Sequence, residues 1–434
     1  MVGTMESTAL LTDRYELTML DAAMGSGVHE RASVFEVFAR HLPAGRRYGV
    51  VAGTGRLMAL IGEFRFGDAE LAWLREQAVV RPETLDWLAD YRFRGTITGY
   101  REGELYFPGS PILRVDGTFA DAVILETLIL SVLNHDSSVA SAASRMVNAA
   151  DGRPLAEMGS RRTGESSAVA AARAAFIAGF AATSNLEAGR GWGIPTMGTA
   201  AHSFTLLHDS EEAAFEAQVA ALGPGTTLLV DTYDLAQGVE TAVRVAGTGL
   251  GAVRIDSGDL PVVVAQVREQ LDGLGATGTR ITVTNDLDEF AIAALRGAPV
   301  DSYGVGTAVV TGSGHPAAGM VFKLVARQGE DGEWVSVAKT STGKATVGGR
   351  KIPVRRTEGG VAVEETVFVD EPAGDIPGRR LDTTYIEDGA FVAEHLGASG
   401  VAAARRHHRA AIAELPLDAL RLSRGEPAIP TVFV

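Results

Sequence analysis

Two arginines in the middle of the chain stand where a loop could hold an anion. Arg161 and Arg162 come shortly after Gly159, at the end of an apolar run. A guanidinium group binds phosphate or carboxylate through two parallel hydrogen bonds. A loop that opens a helix with two surface arginines has the same spacing, so the residues alone leave both interpretations open.

A histidine lies in a second loop, 198–203, which is rich in small residues. Small residues let the backbone approach a ligand closely. The imidazole of His202 can donate or accept a proton, or take up a phosphoryl group. Thr199 adds a hydroxyl to the same loop. A lone histidine is more often structural, so spacing does not decide the role of His202.

An arginine and two aspartates follow other short apolar runs. Arg254 and Asp256 flank Ile255 and are predicted to share one face of a strand. A carboxylate facing inward beside an arginine is costly without a ligand or partner. Asp231 ends a neighbouring run and is predicted to lie at the same edge. Asp259, which precedes Leu-Pro, is explained as a helix N-cap.

Two further loops could contact a phosphorylated ligand. Asn285 follows the run at 280–283, although Asp286 beside it could equally cap a helix over 287–296. Gly306 and Thr307 belong to a glycine-containing turn. Such a turn late in a barrel commonly presents backbone N–H groups to a phosphate.

Short apolar runs separated by helix-like segments must position these loops. The runs cover 154–158, 194–197, 226–230, 252–255, 280–283, 302–305 and 320–324. Strand, polar loop and helix in repetition are typical of βα units around a parallel sheet. We therefore predict an irregular, TIM-like parallel α/β barrel over residues 116–326, closed or nearly closed. The polar loops should converge at the carboxyl ends of its strands.

The two ends of the chain have a different texture. Residues 1–115 mix helical and strand-like segments. After residue 326, strand-like runs are separated by glycine-rich turns, including one at 341–344, which is typical of antiparallel strands. We predict that residues 1–115 and 327–434 together form a second, α+β domain.

Composition narrows the classes of function. The chain of 434 residues carries a net charge of −15, so we expect neither nucleic acid nor an anionic membrane as a partner. The absence of cysteine excludes disulfides and thiol chemistry and fits a cytoplasmic location. Residues 1–11 lack the features of a signal peptide, and charges interrupt the longest apolar stretches. ATP, if used, is not held by a P-loop, because that motif is missing.

These residues support an enzyme on a barrel that binds a phosphorylated sugar, without naming the reaction. A catalytically silent, ligand-binding barrel is an alternative. A sugar-phosphate aldolase is disfavoured, since Lys323 is the only lysine in the middle region and that chemistry usually needs a Schiff-base lysine.

Taken together, the loops resemble the nicotinate phosphoribosyltransferases, a family of type II phosphoribosyltransferases. The matching motifs are LLTDRYELTM (10–19), EMGSRR (157–162), ATSN (182–185), GIPTMGTAAHSF (193–204), VDTYD (230–234), RIDSGDL (254–260), TND (284–286), VGT (305–307) and FKL (322–324). Their order along the chain makes the signal specific. The resemblance implies an irregular α/β barrel, a domain built from both chain ends, and a homodimer with active sites at its interface.

The resemblance also implies a reaction. Nicotinate and 5-phosphoribosyl diphosphate would give nicotinate mononucleotide and pyrophosphate, helped by ATP hydrolysis and Mg²⁺, in a salvage step towards NAD. The ribose C1′ would pass through a cation-like state, for which positioning and electrostatics provide most of the catalysis. Nicotinamide or another pyridine acid is the nearest alternative substrate.

Each candidate residue matches a position in the family's motifs. The resemblance implies that ATP phosphorylates His202 and that Asp256 is the ribose-side carboxylate. It implies substrate contacts for Tyr15 (stacking on the ring, donated across the dimer), Arg161, Thr199, Asp231, Arg254, Asn285, Gly306 and Thr307.

Two positions bear on the choice of base. Many relatives have Phe where this chain has Met158, and a methionine still gives a contact of about 0.3–1.5 kcal/mol with an aromatic ring. Close relatives that use nicotinamide carry an acid near the position of Ser184. The absence of that acid favours a carboxylate substrate.

Overall fold

The computed structural model describes residues 7–339, 346–370 and 376–434. The predicted turn at 341–344 lies outside them. The chain forms two compact units: unit 1 comprises Met1–Ser141 and His315–Val434, and unit 2 comprises Ala142–Gly314.

The helices and strands follow one another along the chain in three stretches. The first contains α1 (Arg14–Ser26), β1 (Ala32–Ala39), β2 (Gly49–Val50), α2 (Thr54–Gly62), α3 (Asp68–Glu76), α4 (Pro82–Ala89), β3 (Thr96–Tyr100), β4 (Leu105–Tyr106), β5 (Leu113–Thr118), α5 (Phe119–Val123) and α6 (Glu126–Ala150). The second contains β6 (Leu155–Glu157), α7 (Glu165–Ile177), β7 (Ala182–Thr183), α8 (Leu186–Trp192), α9 (His202–Leu207), α10 (Glu211–Leu222), β8 (Thr227–Leu229), α11 (Leu235–Ala246), β9 (Ala252–Ile255), α12 (Leu260–Gly273), β10 (Arg280–Val283), α13 (Glu289–Ala294), β11 (Ser302–Val305) and α14 (Thr307–Val310). The third contains β12 (Met320–Gln328), β13 (Trp334–Ser336), β14 (Lys351–Glu358), β15 (Val361–Val369), β16 (Arg379–Arg380), β17 (Asp382–Glu387), β18 (Ala390–Phe391), 3-10 turns at Ala393–His395 and Leu417–Leu420, α15 (Gly397–Ala413) and β19 (Thr431–Phe433).

Unit 2 is built on a parallel sheet with strand order β7-β6-β11-β10-β9-β8. Its strands are short and mostly buried, as expected when helices cover a parallel sheet. The fold is therefore the predicted α/β barrel type, but in the form of a curled half-barrel. The sheet stays open because no ladder joins β7 to β8 among the described residues.

Three local predictions differ from the structure. Residues 194–197 form no strand and contribute only the bridge between Thr196 and Thr183, because the chain between them is used by α8. The helix after Asn285 begins later than predicted: Asp288, not Asp286, accepts the first N–H groups of α13. The run at 320–324 is part of β12, which pairs antiparallel with β1 in unit 1.

Because β12 pairs with β1, the boundary between the two units differs from the predicted one. Residues 315–326 and 116–141 belong to unit 1, whereas the prediction assigned 116–326 to the barrel. The run at 320–324 is short and mainly apolar, like the parallel strands of unit 2, so its composition does not reveal that its partner is antiparallel.

Unit 1 is mainly antiparallel, as predicted for the two chain ends. Its largest sheet has the order β13-β12-β1-β5-β3-β17-β18, and a second sheet has the order β16-β14-β15-β19. Helices α1 to α5 and the start of α6 contribute buried side chains to the same apolar core as the larger sheet.

The helical stretch Phe119–Ala150 is long and apolar enough, by length and composition, to cross a membrane. However, 67% of its most apolar window is buried within the protein. This is the behaviour of a core helix.

One buried ion pair in unit 1 gives a stability prediction. Lys351 on β14 donates to both carboxylate oxygens of Glu36 on β1, at 2.9 Å each, and both side chains are buried. Lys351→Met leaves the carboxylate without its cation and is expected to lower the free energy of unfolding by about 3–5 kcal/mol in denaturant titrations. The double variant Glu36→Met/Lys351→Met should recover most of the loss. Equal destabilisation by the single and double variants would contradict this.

Candidate active site at the carboxyl ends of the unit 2 strands

Arg254, Asp256 and Thr284 form the centre of the site. Strands β9 and β10 pair in parallel with Ile255 opposite Val283, so the residues that follow them lie side by side. The Thr284 hydroxyl accepts from Arg254 Nε at 3.1 Å and donates to Asp256 Oδ1 at 2.7 Å. Arg254 Nη2 also lies 3.4 Å from Asp256 Oδ2. The prediction that Arg254 and Asp256 share a face is confirmed.

Arg254 also fixes the loop before α9. Its Nη1 donates to the Thr199 hydroxyl at 2.6 Å and to the Ala200 carbonyl at 2.9 Å. Every nitrogen of the guanidinium group therefore has an oxygen partner, although the side chain lies at the edge of a cavity. That rigid positive group is suited to recognise a carboxylate or phosphate.

Asp231 is the most buried acid of the cluster, with 4% of its side chain exposed. Its Oδ2 accepts from the Asp256 backbone N–H at 2.8 Å and from the Ser257 hydroxyl at 2.6 Å. Its Oδ1 is buried and has no hydrogen-bond partner among the described residues. A buried acceptor left unsatisfied is costly, so this oxygen is available to a cation or a donor group of a ligand.

His202 opens α9 and faces both carboxylates. Its Nε2 lies 3.9 Å from Oδ1 of Asp231 and 3.9 Å from Oδ2 of Asp256. Its Nδ1 lies 3.1 Å from the Thr232 hydroxyl. The ring is thus held by Thr232 and faces the two acids, while 40% of the side chain remains accessible to solvent. An oriented, accessible imidazole between two acids can exchange protons or accept a phosphoryl group.

A buried glutamate shapes the loop that carries Arg161. Glu157 at the end of β6 accepts from the Gly159 backbone N–H and, at 2.6 Å, from the Thr183 hydroxyl. Burial raises the pKa of Glu157. Gly159 packs closely against the Gly306 turn: a Cβ on Gly159 would lie 2.9 Å from the Gly306 carbonyl oxygen. The absence of a side chain lets these two loops approach each other.

Unit 2 also contains a cavity of about 220 Å³ that reaches this cluster. Met158 and Met197 give it apolar walls, and Thr199 and Arg254 give it polar ones. The Met158 side chain lies over Gly304, where an added Cβ would come within 2.7 Å of its sulfur. Arg280, at the start of β10, also lines the cavity, so its wall holds two cationic groups. Apolar walls with cationic groups suit a small acid.

The structure brings five of the predicted site residues into one bonded cluster. These are Thr199, His202, Asp231, Arg254 and Asp256. The other predicted residues of unit 2 follow the neighbouring strands, with no hydrogen bond to the cluster among the described residues. These are Arg161, Asn285, Gly306 and Thr307.

Tyr15 is the one predicted site residue in unit 1. It lies on α1 with 45% of its surface exposed. Partial burial and the neighbouring Glu126 raise the pKa of its hydroxyl.

Three residues with direct contacts in the cluster were not among the predicted site residues. They are Thr232, Ser257 and Thr284. Each stands inside a motif that the sequence analysis quoted, directly beside a predicted residue. Their role depends on contacts across strands, which adjacency alone does not reveal.

The bridge that Thr284 forms between Arg254 and Asp256 can be tested by mutation. Thr284→Val removes a hydroxyl with bonds to two charged groups, each worth about 1.5–3 kcal/mol, at nearly constant volume. If this cluster is the active site, kcat/KM should fall by about ten- to a hundredfold. Thr284→Ser keeps the hydroxyl and should retain most of the activity. Equal losses in the two variants would contradict a hydrogen-bonding role.

Solved structures share this fold across nearly the whole chain. A human nicotinic acid phosphoribosyltransferase superposes with a TM-score of 0.80 at 24% identity, covering 97% of both chains. A nicotinate-nucleotide pyrophosphorylase from Pyrococcus furiosus gives a TM-score of 0.78 at 22% identity, covering 95% of this chain and 98% of the other. At these identities the likeness establishes the fold.

An arginine, two acids and a histidine gathered at the carboxyl ends of parallel strands are the arrangement typical of an α/β-barrel enzyme. Residues 10–134 match the family model for the nicotinate phosphoribosyltransferase N-terminal domain. A nicotinate phosphoribosyltransferase of Mycobacterium tuberculosis is 57% identical over 98% of this chain and 95% of its own, and one of Bacillus subtilis is 36% identical over 80% and 72%. The chain belongs to the nicotinate phosphoribosyltransferase family.

Proposed function

We propose that this protein joins nicotinate to 5-phosphoribosyl diphosphate, giving nicotinate mononucleotide and pyrophosphate, as a salvage step towards NAD in the cytoplasm. The observation that carries the proposal is the 57% identity to an enzyme of that name over 98% of the chain. The roles proposed below are assigned to particular side chains on the basis of their contacts in the cluster.

The cavity beside the cluster supports nicotinate as the base. The ring would lie between the apolar side chains of Met158 and Met197, and its carboxylate would meet Arg254 and Thr199. An amide lacks the negative charge that Arg254 can pair with. Ser184 adds no acid that would favour an amide.

Asp256 would act at the ribose. Its carboxylate is held by Thr284 and Arg254, so it is already oriented before the substrate binds. A fixed negative charge beside C1′ opposes the positive charge that develops there as pyrophosphate leaves. Arg161, Asn285, Gly306 and Thr307 would contact the phosphates from the adjoining loops.

The acids also fit a Mg²⁺ ion bound together with the diphosphate. Asp231 Oδ1 is a buried carboxylate oxygen that accepts no hydrogen bond from the described residues. The other oxygen of Asp231 accepts from the Asp256 backbone N–H, so the two acids are neighbours. The described residues contain no group of three or more His, Asp or Glu side chains able to hold a metal ion on their own. Mg²⁺ is usually held by one or two carboxylates plus substrate phosphates, and it neutralises the charge of a leaving diphosphate.

We further propose that ATP phosphorylates His202. The ring is accessible and is oriented by Thr232, Asp231 and Asp256. A phosphohistidine is a high-energy phosphoramidate, so its formation and hydrolysis can draw the transfer towards the nucleotide. The protein would act as a homodimer in which Tyr15 of one subunit stacks on the ring bound by its partner.

The proposal is tested by supplying the base as an acid or as an amide. Purified protein with 5-phosphoribosyl diphosphate, Mg²⁺ and ATP should release pyrophosphate with nicotinate, and nicotinamide should compete poorly. Release driven by nicotinamide alone would reassign the base. Binding of nicotinate mononucleotide without any turnover would indicate a ligand-binding barrel.

A further inference from the structure

Two hydroxyl groups in the wall of the unit 2 cavity form a hydrogen-bonded pair. Thr282 on β10 lies opposite Ser302 on β11 in the parallel ladder, and their side-chain oxygens are 2.8 Å apart. Both residues line the cavity of about 220 Å³ that also contains Arg254. Thr282 is only 8% exposed, so the pair belongs to the cavity wall and not to the outer surface of the protein.

This pair retains one hydrogen-bond donor. A hydroxyl group has a single proton to donate and two lone pairs that accept. Either oxygen can be the donor within the pair, and the proton of the other hydroxyl then has no acceptor among the described residues. Because Thr282 and Ser302 both line the cavity, that proton is available to an acceptor on a bound molecule.

The charged groups of the wall favour an anionic acceptor. The described residues that line this cavity include two arginines and no aspartate or glutamate. One of the arginines, Arg254, has the five N–H groups of any guanidinium, and four hydrogen bonds to protein oxygens use all but one of them. Arg254 can therefore donate one further hydrogen bond, from Nη2, whereas a carboxylate has two oxygens that need donors.

The position of the pair along the strands matches the part of the base that carries the carboxylate. Thr282 precedes Thr284 by two residues and shares its face of the strand, and Thr284 contacts Asp256. Two residues correspond to about 6–7 Å along a strand. In the proposed reaction the ring nitrogen of nicotinate faces the ribose at Asp256. The carboxylate on ring carbon 3 then points away from Asp256, towards the pair.

We propose that the Thr282–Ser302 pair determines the specificity for the base, an inference that rests on the reaction proposed above. Its unused hydroxyl proton would be donated to one carboxylate oxygen of nicotinate, and Nη2 of Arg254 would donate to the other. A hydrogen bond to a charged acceptor is about twice as strong as one to a neutral group. The pair therefore favours the acid over nicotinamide.

The double variant Thr282→Val/Ser302→Ala removes both hydroxyls at nearly constant volume. The KM for nicotinate should rise about tenfold or more, with kcat unchanged, because the lost contact binds ground state and transition state alike. The inhibition constant of nicotinamide should rise by less than about threefold, since its contact is uncharged. Thr282→Ser keeps the hydroxyl and should retain the wild-type KM. Thr282→Val alone leaves Ser302 without the partner that orients it and should raise KM about threefold.

Equilibrium dialysis with radiolabelled nicotinate measures the same contact without turnover. The double variant should bind nicotinate about tenfold more weakly than the wild type. A pair that only joins β10 to β11 would lower the melting temperature of the double variant and leave KM and nicotinate binding unchanged, which would overturn the proposal. Wild-type protein that binds nicotinate but releases no pyrophosphate would contradict the proposed reaction, and the dialysis would still decide the role of the pair.

Discussion

Asp256→Asn is expected to lower kcat/KM for pyrophosphate release by about 10²–10³-fold, the effect typical of removing one oriented electrostatic group from an active site. The asparagine keeps the shape and can still accept from Thr284, whose hydroxyl lies 2.7 Å from Asp256 Oδ1. What it loses is the negative charge that opposes the developing cation at C1′. The measurement is steady-state pyrophosphate release with nicotinate and 5-phosphoribosyl diphosphate varied in turn.

A matched control lies in the same loop. Asp259 is exposed and stands at the N-cap position of α12, but its side chain makes no capping hydrogen bond. Asp259→Asn removes a negative charge three residues after Asp256 and should leave kcat/KM close to that of the wild type. Equal losses in Asp259→Asn and Asp256→Asn would show that the loop's net charge matters rather than the placed carboxylate.

The alternation of side chains along a strand was enough to predict the core of this site. Arg254 and Asp256 stand two residues apart in an apolar run, and the structure confirms that they share a face. Polar residues at the ends of parallel strands were also expected to converge, and Asp231 indeed reaches the Asp256 backbone. Both predictions use only the geometry of a single strand, in which residues two positions apart point to the same face.

The pairing of strands that are far apart in the sequence could not be predicted in the same way. The run at 320–324 looks like the other apolar runs, yet its place is set by antiparallel pairing with β1, almost three hundred positions earlier. The bridging role of Thr284 likewise depends on the register of β9 against β10. Register and pairing are decided by the packing of whole elements, so no short motif specifies them.

His202→Ala is expected to abolish ATP-dependent incorporation of phosphate into the protein. Alanine removes both ring nitrogens. His208, at the end of α9, donates from Nδ1 to the Phe204 carbonyl instead of facing the acids. With radiolabelled γ-phosphate of ATP, labelling should fall to background. The ratio of transfer rates with and without ATP should fall to about one, because coupling requires the phosphorylated residue.

Two comparisons make the result specific to His202. His208→Gln changes a neighbouring imidazole and should leave labelling intact. Thr232→Val removes the hydroxyl 3.1 Å from His202 Nδ1 but keeps the histidine, so labelling should persist at a reduced rate. Labelling retained in His202→Ala would place the phosphoryl group on another residue. In that case His202, with its Nε2 3.9 Å from the two carboxylates, would act as a proton carrier. ATP hydrolysis would then be coupled to the transfer through another residue.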